Sequence, residues 1–314
     1  MASISDHFDG ARFFNPNGFA IQPVTAVPRM LLEPRTPWPR WVDEPPRQPA
    51  PRHEASAVVT FIGHATFLIQ TAAGNILTDP MYSNKAGPWN LAGPRRVRAP
   101  AVAFDDLPAI SVVLLSHNHY DHCDLRTLRR LGRRFDPIVL TPLGNAALVR
   151  SAGIRRVEEL DWWRDARTSP LPVTLTPAHH FSARGLRDRN RALWGGFLLT
   201  AGTRRLYFAG DTAYAPFFTE IRQRLGPIDL ALLPIGAYEP RWFMQSVHMN
   251  PEEAVQAHLE LEAAESIGMH FGTFQLTTEG IDEPERALDM ARRARQVAPA
   301  SFRTIAGGES LTVR

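Results

Sequence analysis

A cluster of three histidines and one aspartate within six residues constrains this chain more than any other feature. Residues 110–124 read ISVVLLSHNHYDHCD, so an apolar run leads directly into His117, His119, Asp121 and His122. A short apolar run without charges predicts a strand that is covered on both faces. In a tight loop after that strand, all four polar side chains can converge on one point.

The chemistry of these four side chains points to a metal ion. Neutral imidazole and carboxylate are ligands that borderline cations such as Zn²⁺ accept. Without a cation, polar groups crowded after a buried strand would repel one another or lack partners. The cluster therefore predicts a metal site whose other ligands come from elsewhere. Candidates follow three further predicted strands: His179 and His180, Asp211, and His270.

The composition indicates the class of protein. The 314 residues are 44% hydrophobic and 21% charged, which is typical of soluble globular proteins. The sequence shows neither an apolar run long enough to span a membrane nor a secretory leader. Its single cysteine, Cys123, fits a reducing compartment. We therefore expect a cytoplasmic protein and leave peripheral contact with a membrane open.

The charge of the chain is carried almost wholly by arginine. The formal charge is +3 at a pI of about 9.4, and Lys85 is the only lysine. Arginine suits bidentate contact with phosphate, although a coding bias toward arginine explains the same composition. The basic run RRLGRR at 129–134 has no interleaved aromatic residues, so we interpret it as a solvated helix face. Nucleic acid is not an expected partner, whereas homodimerisation is left open.

The chain divides into an extension and one larger domain. Residues 1–55 are rich in proline, which forbids helix interiors, so this segment is expected to be extended. Trp38 and Trp41 indicate that it packs against the body of the protein, and a mostly disordered arm is the alternative. Residues 56–314 show short apolar strands followed by helices, which predicts a catalytic domain with a sheet core flanked by helices.

Local signals predict several turns and helix ends. Gly74-Asn75 is expected to mark a hairpin, and Gly132 is expected to end the helix that begins after Asp124. The sequence NPEEA from Asn250 predicts an N-cap, a proline at the first helical position and a capping box. The same reasoning predicts a last helix beginning after Asp282.

The order of these motifs resembles the metallo-β-lactamase superfamily. Its pattern is His-x-His-x-Asp-His, then His, then Gly-Asp-Thr, then His. Within the superfamily, the chain is similar to the branch of N-acyl-phosphatidylethanolamine-hydrolysing phospholipase D over residues 56 to about 310. The most selective segment is IGAYEPRWFM at 235–244, followed by H-x-x-P-E-E-A from His248. Other matching segments are FIGHATFLIQ (61–70), LLSHNHYDHCD (114–124), FAGDTAYAPFF (208–218) and HFGTFQLT (270–277).

The resemblance implies an α/β fold of the α+β type, a four-layer αβ/βα sandwich, with two zinc ions at the strand ends. The family's Gln-His-Trp is here His179-His180-Phe181, so the ligand maps to His180. The implied ligands are His117, His119 and His180 for one zinc ion, Asp121, His122 and His270 for the other, and Asp211 for both.

The resemblance also implies a phosphodiesterase of the phospholipase D type that acts on N-acyl-phosphatidylethanolamine-like lipids. A pair of divalent ions makes water nucleophilic near neutral pH. Asp121 and Asp211 would then be catalytic, and His248 would orient the phosphate or protonate the leaving group, unless it only anchors the helix after it.

The selective segment is expected to line a groove for the substrate, although core packing would explain its apolar members equally well. The expected substrate-binding residues are Tyr238, Glu239, Arg241, Trp242, Phe243 and Met244. The same metal site would also serve a lactonase, esterase or β-lactamase-like hydrolase of a small soluble substrate. A non-catalytic metal-binding protein is the third alternative.

Overall fold

The fold contains two sheets with helices on their outer faces. A computed structural model describes residues 5–16, 20–52, 56–185 and 187–313. The expected boundary between the extension and the larger domain falls at residues 53–55, which lie outside the described residues.

The strands of the described residues are short, and most of them are buried. In chain order they are β1 (Ala57–Gly63), β2 (Thr66–Thr71), β3 (Gly74–Thr78), β4 (Ile110–Leu114), β5 (Ile138–Pro142), β6 (Arg156–Leu160), β7 (Val173–Thr176), β8 (Gly196–Ala201), β9 (Arg204–Phe208), β10 (Leu230–Pro234), β11 (Glu265–Met269), β12 (Phe302–Arg303) and β13 (Ser310–Val313).

The helices of the described residues include two of only one turn. They are α1 (Val27–Leu31), α2 (Leu125–Arg134), α3 (Ala146–Ser151), α4 (Phe217–Leu225), α5 (Arg241–Met244), α6 (Pro251–Glu260) and α7 (Glu283–Ala294). Short 3-10 turns cover Val24–Ala26, Pro88–Asn90 and Phe104–Asp106.

Each sheet is antiparallel at one side and parallel at the other. The first has the order β13-β1-β2-β3-β4-β5-β6 and is parallel from β3 to β6. The second has the order β12-β11-β10-β9-β8-β7 and is parallel from β9 to β12. Parallel strands need cover on both faces and so contain near-continuous apolar runs. All five residues of β10, for example, are buried.

The apolar core confirms the four-layer sandwich. The larger apolar cluster joins inward residues of both sheets, such as Leu114 and Leu232, to residues of α4, α6 and α7. The second cluster lies between the outer face of the first sheet and helices α2 and α3, with Leu128 and Val149 as members. The layers are therefore helix, sheet, sheet and helix.

This topology brings the predicted ligands to one edge. The first cluster of histidines follows β4, Asp211 follows β9 and His270 follows β11. Side chains gather where the carboxyl ends of parallel strands meet, which is the usual place for sites in α/β sheets.

Three local expectations differ from the structure. The hairpin turn is Ala72-Ala73, and Gly74 is already paired with Thr71 in the ladder. Helix α2 continues past Gly132, whose absent side chain lets the helix approach the 153–154 turn; a Cβ there would lie 3.1 Å from Ile154 Cδ1. The last helix has Asp282 at its N-cap position, but the side chain accepts no capping hydrogen bond. The box at Asn250 and Glu253, in contrast, forms as expected.

The N-terminal extension lies against the larger domain at several points. The backbone N–H of Phe13 donates to Asn190 O at 2.8 Å, and Trp38 Nε1 donates to Glu279 O at 2.8 Å. Trp41, in contrast, is 48% exposed.

No helix among the described residues is long and apolar enough to cross a bilayer.

Candidate metal centre

The site is built around the carboxylate of Asp211. This side chain is buried, and its Oδ2 lies 3.0 Å from His122 Nε2 and 3.2 Å from His270 Nε2. The same oxygen lies 3.9 Å from the Nε2 atoms of His117, His180 and His248. Five imidazoles from four separate loops therefore surround one carboxylate oxygen.

One set of candidate ligands comprises His117, His119 and His180. His119 Nδ1 lies 2.9 Å from His117 Nε2 and 3.2 Å from His180 Nε2. Ring nitrogens at such distances leave room for a small cation and little else. The set matches the first predicted group of ligands.

The second set comprises Asp121, His122 and His270. Asp121 Oδ2 lies 3.4 Å from the Nε2 atoms of both histidines, which are themselves 3.2 Å apart. The structure thus brings all seven predicted ligands together, with Asp211 between the two sets.

Hydrogen bonds behind the ligands fix which ring nitrogen faces the site. His122 Nδ1 donates to Asp79 Oδ2 at 2.6 Å, and His180 Nδ1 donates to Val247 O at 2.8 Å. His117 Nδ1 lies 2.9 Å from Ser116 Oγ, which donates to Asp79 at 2.5 Å. These three histidines therefore present Nε2 to the centre, which is the arrangement expected of metal ligands.

His64 supports the second set from a strained position. Its Nε2 lies 3.0 Å from Asp121 Oδ2, and its carbonyl oxygen accepts the backbone N–H of His270 at 2.9 Å. The residue is buried and its φ is 58°, a left-handed conformation that non-glycine residues rarely adopt. His64 thus contacts two candidate ligands at once.

A close backbone approach holds His270 in place. His270 itself has a φ of 62°. A Cβ on Gly236, the residue after β10 and Ile235, would lie 2.2 Å from His270 O. The end of β10 can pass the loop after β11 only because residue 236 has no side chain.

The charges within the cluster are strongly coupled. Burial opposes a charge on His119 and lowers its pKa to about 3. At His270, burial acts the same way, but the Asp211 carboxylate and other acceptors raise the pKa to about 9. Burial alone would raise the pKa of Asp211, yet His122 and His270 hold it well below its usual range. Without a cation, protons on imidazoles must balance the two buried acids.

The donor set fits a metal ion. Five imidazoles surround one carboxylate oxygen, and Asp211 Oδ1 is buried without a hydrogen bond in the described part of the chain. A divalent cation satisfies these groups together, and imidazole with carboxylate suits zinc, iron or manganese.

His248 lies beside the ligands and faces the same centre. Its ring centroid lies 5.1 Å from that of His180, and its Nδ1 is buried without a hydrogen bond among the described residues. Its carbonyl oxygen accepts Arg241 Nη1 at 3.0 Å, and Arg241 Nη2 donates to both oxygens of Glu253 at 2.9 Å. Arg241 therefore fixes the loop that carries His248.

The helix after His248 does not offer a free anion site. Asn250 and Glu253 close the amino terminus of α6 with a capping box, and the first turn also carries Glu252. Two acidic side chains there repel an anion, so the phosphate site implied by the sequence would depend on His248 and not on the helix.

The other predicted substrate residues occupy varied surroundings. Trp242 Nε1 donates to Glu33 at 3.0 Å, with Arg29 4.2 Å over its ring. Glu239 accepts the backbone N–H of Arg241 at 2.8 Å. Tyr238 and Met244 are nearly buried.

An apolar cluster joins this segment to the ligands. Met244 belongs to it, and Phe243 and Phe181 pack against it. Phe181 also contacts the ring of His119 edge-on, with centroids 4.4 Å apart. The apolar cluster therefore begins next to the candidate metal centre.

Sequence reasoning missed several residues of the site. Asp79 closes the apolar strand ILTDP, the same signal that identified Asp211, and could have been found in that way. Ile21 and Leu276, which pack against the apolar cluster, carry no local signal of their role. Asn15 donates to His180 O at 2.9 Å, so the N-terminal extension reaches the ligand loops.

Comparison with known proteins places this geometry in a family. Residues 74–271 match the model of the Beta-lactamase superfamily domain. N-acyl-phosphatidylethanolamine-hydrolyzing phospholipase D 1 of Caenorhabditis elegans is 39% identical over 270 residues, covering 82% of this chain and 76% of that protein.

A second relative is similar in sequence, and a solved structure is similar in fold. The mitochondrial N-acyl-phosphatidylethanolamine-hydrolyzing phospholipase D of Saccharomyces cerevisiae is 38% identical over 222 residues, covering 68% of this chain and 47% of that protein. The isothiocyanate hydrolase from Delia radicum gut bacteria has the same fold, with a TM-score of 0.65 at 24% identity over 81% of this chain and 98% of that chain.

The ligand geometry, the two-sheet fold and these likenesses lead to one conclusion. The chain belongs to the metallo-β-lactamase superfamily and is a metal-dependent hydrolase homologous to N-acyl-phosphatidylethanolamine-hydrolysing phospholipase D.

Proposed function

We propose that the protein is a dinuclear zinc phosphodiesterase that hydrolyses N-acyl-phosphatidylethanolamine-like lipids. One observation carries the proposal: the Asp211 carboxylate lies between two separate sets of candidate ligands. A shared carboxylate suits a pair of ions better than a single ion. The worm relative, named for this reaction, supports the choice of substrate.

The candidate ligands would divide between two ions as the sequence implies. His117, His119 and His180 would hold one ion, Asp121, His122 and His270 the other, and Asp211 would contact both. When bound, such a pair activates water and stabilises charge on a phosphoryl oxygen. Asp121 and Asp211 contribute the negative charge that keeps two cations together in a buried site.

The reaction that we propose breaks one phosphodiester bond. Water adds to phosphorus, and the bond from phosphorus to the oxygen of the N-acylethanolamine breaks. The products are phosphatidate and an N-acylethanolamine, with the water protons divided between them.

His248 would act on the phosphate or the leaving oxygen. Its Nε2 lies 3.9 Å from Asp211 Oδ2, and its buried Nδ1 has no hydrogen bond among the described residues. An N–H of His248 can donate to a phosphate oxygen or to the departing alkoxide. Arg241 holds the His248 carbonyl and so fixes the backbone that carries the ring.

The apolar cluster would hold an acyl chain. Phe243 and Phe181 are only partly buried, and Phe181 also contacts the ring of the candidate ligand His119. Ile21 of the N-terminal extension packs on the same cluster, so we propose that this part of the extension helps to form the mouth of the site. Trp242, tied to Glu33 in the extension, would form part of the rim.

The test is turnover of a defined lipid by the purified protein. N-acyl-phosphatidylethanolamine in detergent micelles is followed by phosphorus NMR, with mass spectrometry for the N-acylethanolamine. We expect phosphatidate to form, and its formation to stop in metal-stripped protein and in Asp211→Asn. His258→Asn is the matched control, because His258 is also buried but contacts Ser266 on the far side of the second sheet.

A panel of soluble substrates decides between the alternatives. Esters, lactones and a chromogenic β-lactam are tested beside a nitrophenyl phosphodiester under the same conditions. Turnover of carbon esters or lactones without any phosphodiester cleavage would refute the proposed reaction and leave the hydrolase assignment intact.

A further inference from the structure

A cavity separate from the candidate metal centre lies beside the loop that carries the candidate ligands His119 and Asp121. It has a volume of about 440 Å³. Its walls come from the turn at residues 87–90, from the 120–125 segment that carries two candidate ligands, and from α2. Tyr120, which lines the cavity, stands between the ligands His119 and Asp121 in the chain. The cavity therefore adjoins the metal centre without including it.

Three arginines line this cavity. Arg126 and Arg129 are one turn apart on the same face of α2, and both are exposed. Arg184 lies 4.0 Å over the Tyr120 ring and donates to the carbonyl oxygens of Asn118 and Cys123. Within the described residues, no carboxylate lies at salt-bridge distance from any of the three guanidinium groups.

One acidic residue reaches the same cavity, and its carboxylate is already in use. Asp124 accepts the backbone N–H groups of Ser83 and Arg126 and the hydroxyl of Thr127. It is buried as the N-cap of α2. The positive charge of the cavity is therefore not balanced from within the protein.

The turn at the mouth of the cavity holds a tryptophan out in solvent. Trp89 is 87% exposed with a φ of 52°, and Leu91 beside it is 75% exposed. Large apolar side chains seldom lie so exposed in pairs, and a left-handed tryptophan is strained.

Two glycines build this turn. A Cβ on Gly87 would lie 2.3 Å from Ala92 O, and one on Gly93 would lie 2.2 Å from Ala86 O. Lys85 Nζ also donates to Leu91 O at 2.7 Å. The tight closure of the turn fixes the exposed indole next to the arginines.

We propose that this cavity binds the phosphate monoester headgroup of an anionic lipid, while Trp89 and Leu91 enter the lipid surface. A guanidinium group can donate two parallel hydrogen bonds to the oxygens of one phosphate, and indole rings favour the boundary between water and lipid. A surface that combines both binds anionic membranes more strongly than neutral ones.

The choice of phosphatidate as the lipid rests on the proposed function, because phosphatidate is the product of that reaction. A site for it beside the metal centre would keep the enzyme on a surface where it has already acted. The preference for a phosphate monoester depends only on the arginines.

The test is binding of the metal-loaded protein to vesicles by co-sedimentation. One set of vesicles is pure phosphatidylcholine, and the other contains a minor fraction of phosphatidate. Arg126→Gln with Arg129→Gln removes two cavity charges, and Arg133→Gln with Arg150→Gln is the control of equal charge outside the cavity. Trp89→Asn removes the indole while asparagine tolerates the left-handed backbone. Met290→Asn is the control for loss of an exposed apolar side chain.

We expect wild type to prefer the phosphatidate vesicles at low salt. The cavity double variant should bind them about thirtyfold more weakly, since each arginine near an anionic surface contributes about fivefold. The charge control should bind within about threefold of wild type. Trp89→Asn should weaken binding to both vesicle types, and Met290→Asn should change neither.

Several results would overturn the inference. Equal losses in the cavity variant and the charge control would mean that net charge alone drives binding. If calorimetry shows arginine-dependent binding of inorganic phosphate but the protein does not bind vesicles, the ligand is free phosphate, and the proposed lipid headgroup is refuted. Because binding is measured without turnover, phosphatidate binding with no lipid hydrolysis would refute the proposed function and leave this inference standing.

Discussion

Replacing His64 with asparagine should separate the two halves of the candidate metal centre. The imidazole holds Asp121 through a 3.0 Å contact and lies 4.1 Å from the His270 ring, but it contacts none of His117, His119 or His180. Asparagine is suited to the test because it tolerates the left-handed backbone of residue 64. Its shorter side chain cannot reach the Asp121 carboxylate.

The expected magnitude follows from the role of the lost contact. Removing a partner that orients a ligand weakens metal affinity about ten- to a hundredfold. We expect that loss at the ion held by Asp121, His122 and His270, and a change of less than about threefold at the other ion. The buried ring is also lost, so the free energy of unfolding should fall by about 1–3 kcal/mol.

The assay titrates metal-free protein with zinc against a chromophoric chelator, which resolves two affinities. Cobalt can replace zinc, and its absorption bands then report each ion separately. His258→Asn serves as the control, since it removes another buried imidazole, bound to Ser266 Oγ at 2.8 Å, without touching the site. Equal loss of both affinities, or no loss in His64→Asn, would refute a positioning role for His64.

Three further predictions concern the surroundings of the site. Gly236→Ala should push the His270 loop outward, because its Cβ would meet His270 O at 2.2 Å; calorimetry should show a loss of about 1–3 kcal/mol, and zinc titration should show weaker binding. Removing zinc with a chelator should lower the free energy of unfolding by about 4 kcal/mol when the free zinc concentration before chelation is a thousandfold above its Kd. Urea denaturation measures this change. Burial raises the pKa of Glu279 above 4.5, so the unfolding free energy of metal-free protein should fall as pH rises from 4.5 through the raised pKa. Glu279→Gln should flatten that profile in urea titrations, and an unchanged slope would contradict the role of burial.

The sequence predicts which side chains gather at the candidate metal centre, because each one follows an apolar strand. His117 and Asp211 end runs that are buried on both faces, and parallel strands bring such ends to one edge. Asn250 and Glu253 were also predictable, because a capping box depends only on residues three apart.

Long-range contacts were beyond local patterns. The pairing of Arg241 with Glu253 and the His248 carbonyl depends on how a loop folds back, which no local pattern of the sequence indicates. The left-handed backbone of His64 is likewise held by distant partners, since its N–H donates to Thr273 Oγ1 and its carbonyl oxygen accepts the N–H of His270. The helix end predicted at Gly132 was wrong, because a glycine that allows close packing within a helix looks the same in the sequence as a glycine that ends one.

The most direct test is the metal content of the purified protein after dialysis against metal-free buffer. Elemental analysis should find about two divalent ions per chain in wild type, and a value approaching one in Asp121→Asn and His122→Ala, because each of these ligands would serve a single ion. One ion or none in the wild-type protein, or an unchanged value in both variants, would contradict a paired site at Asp211.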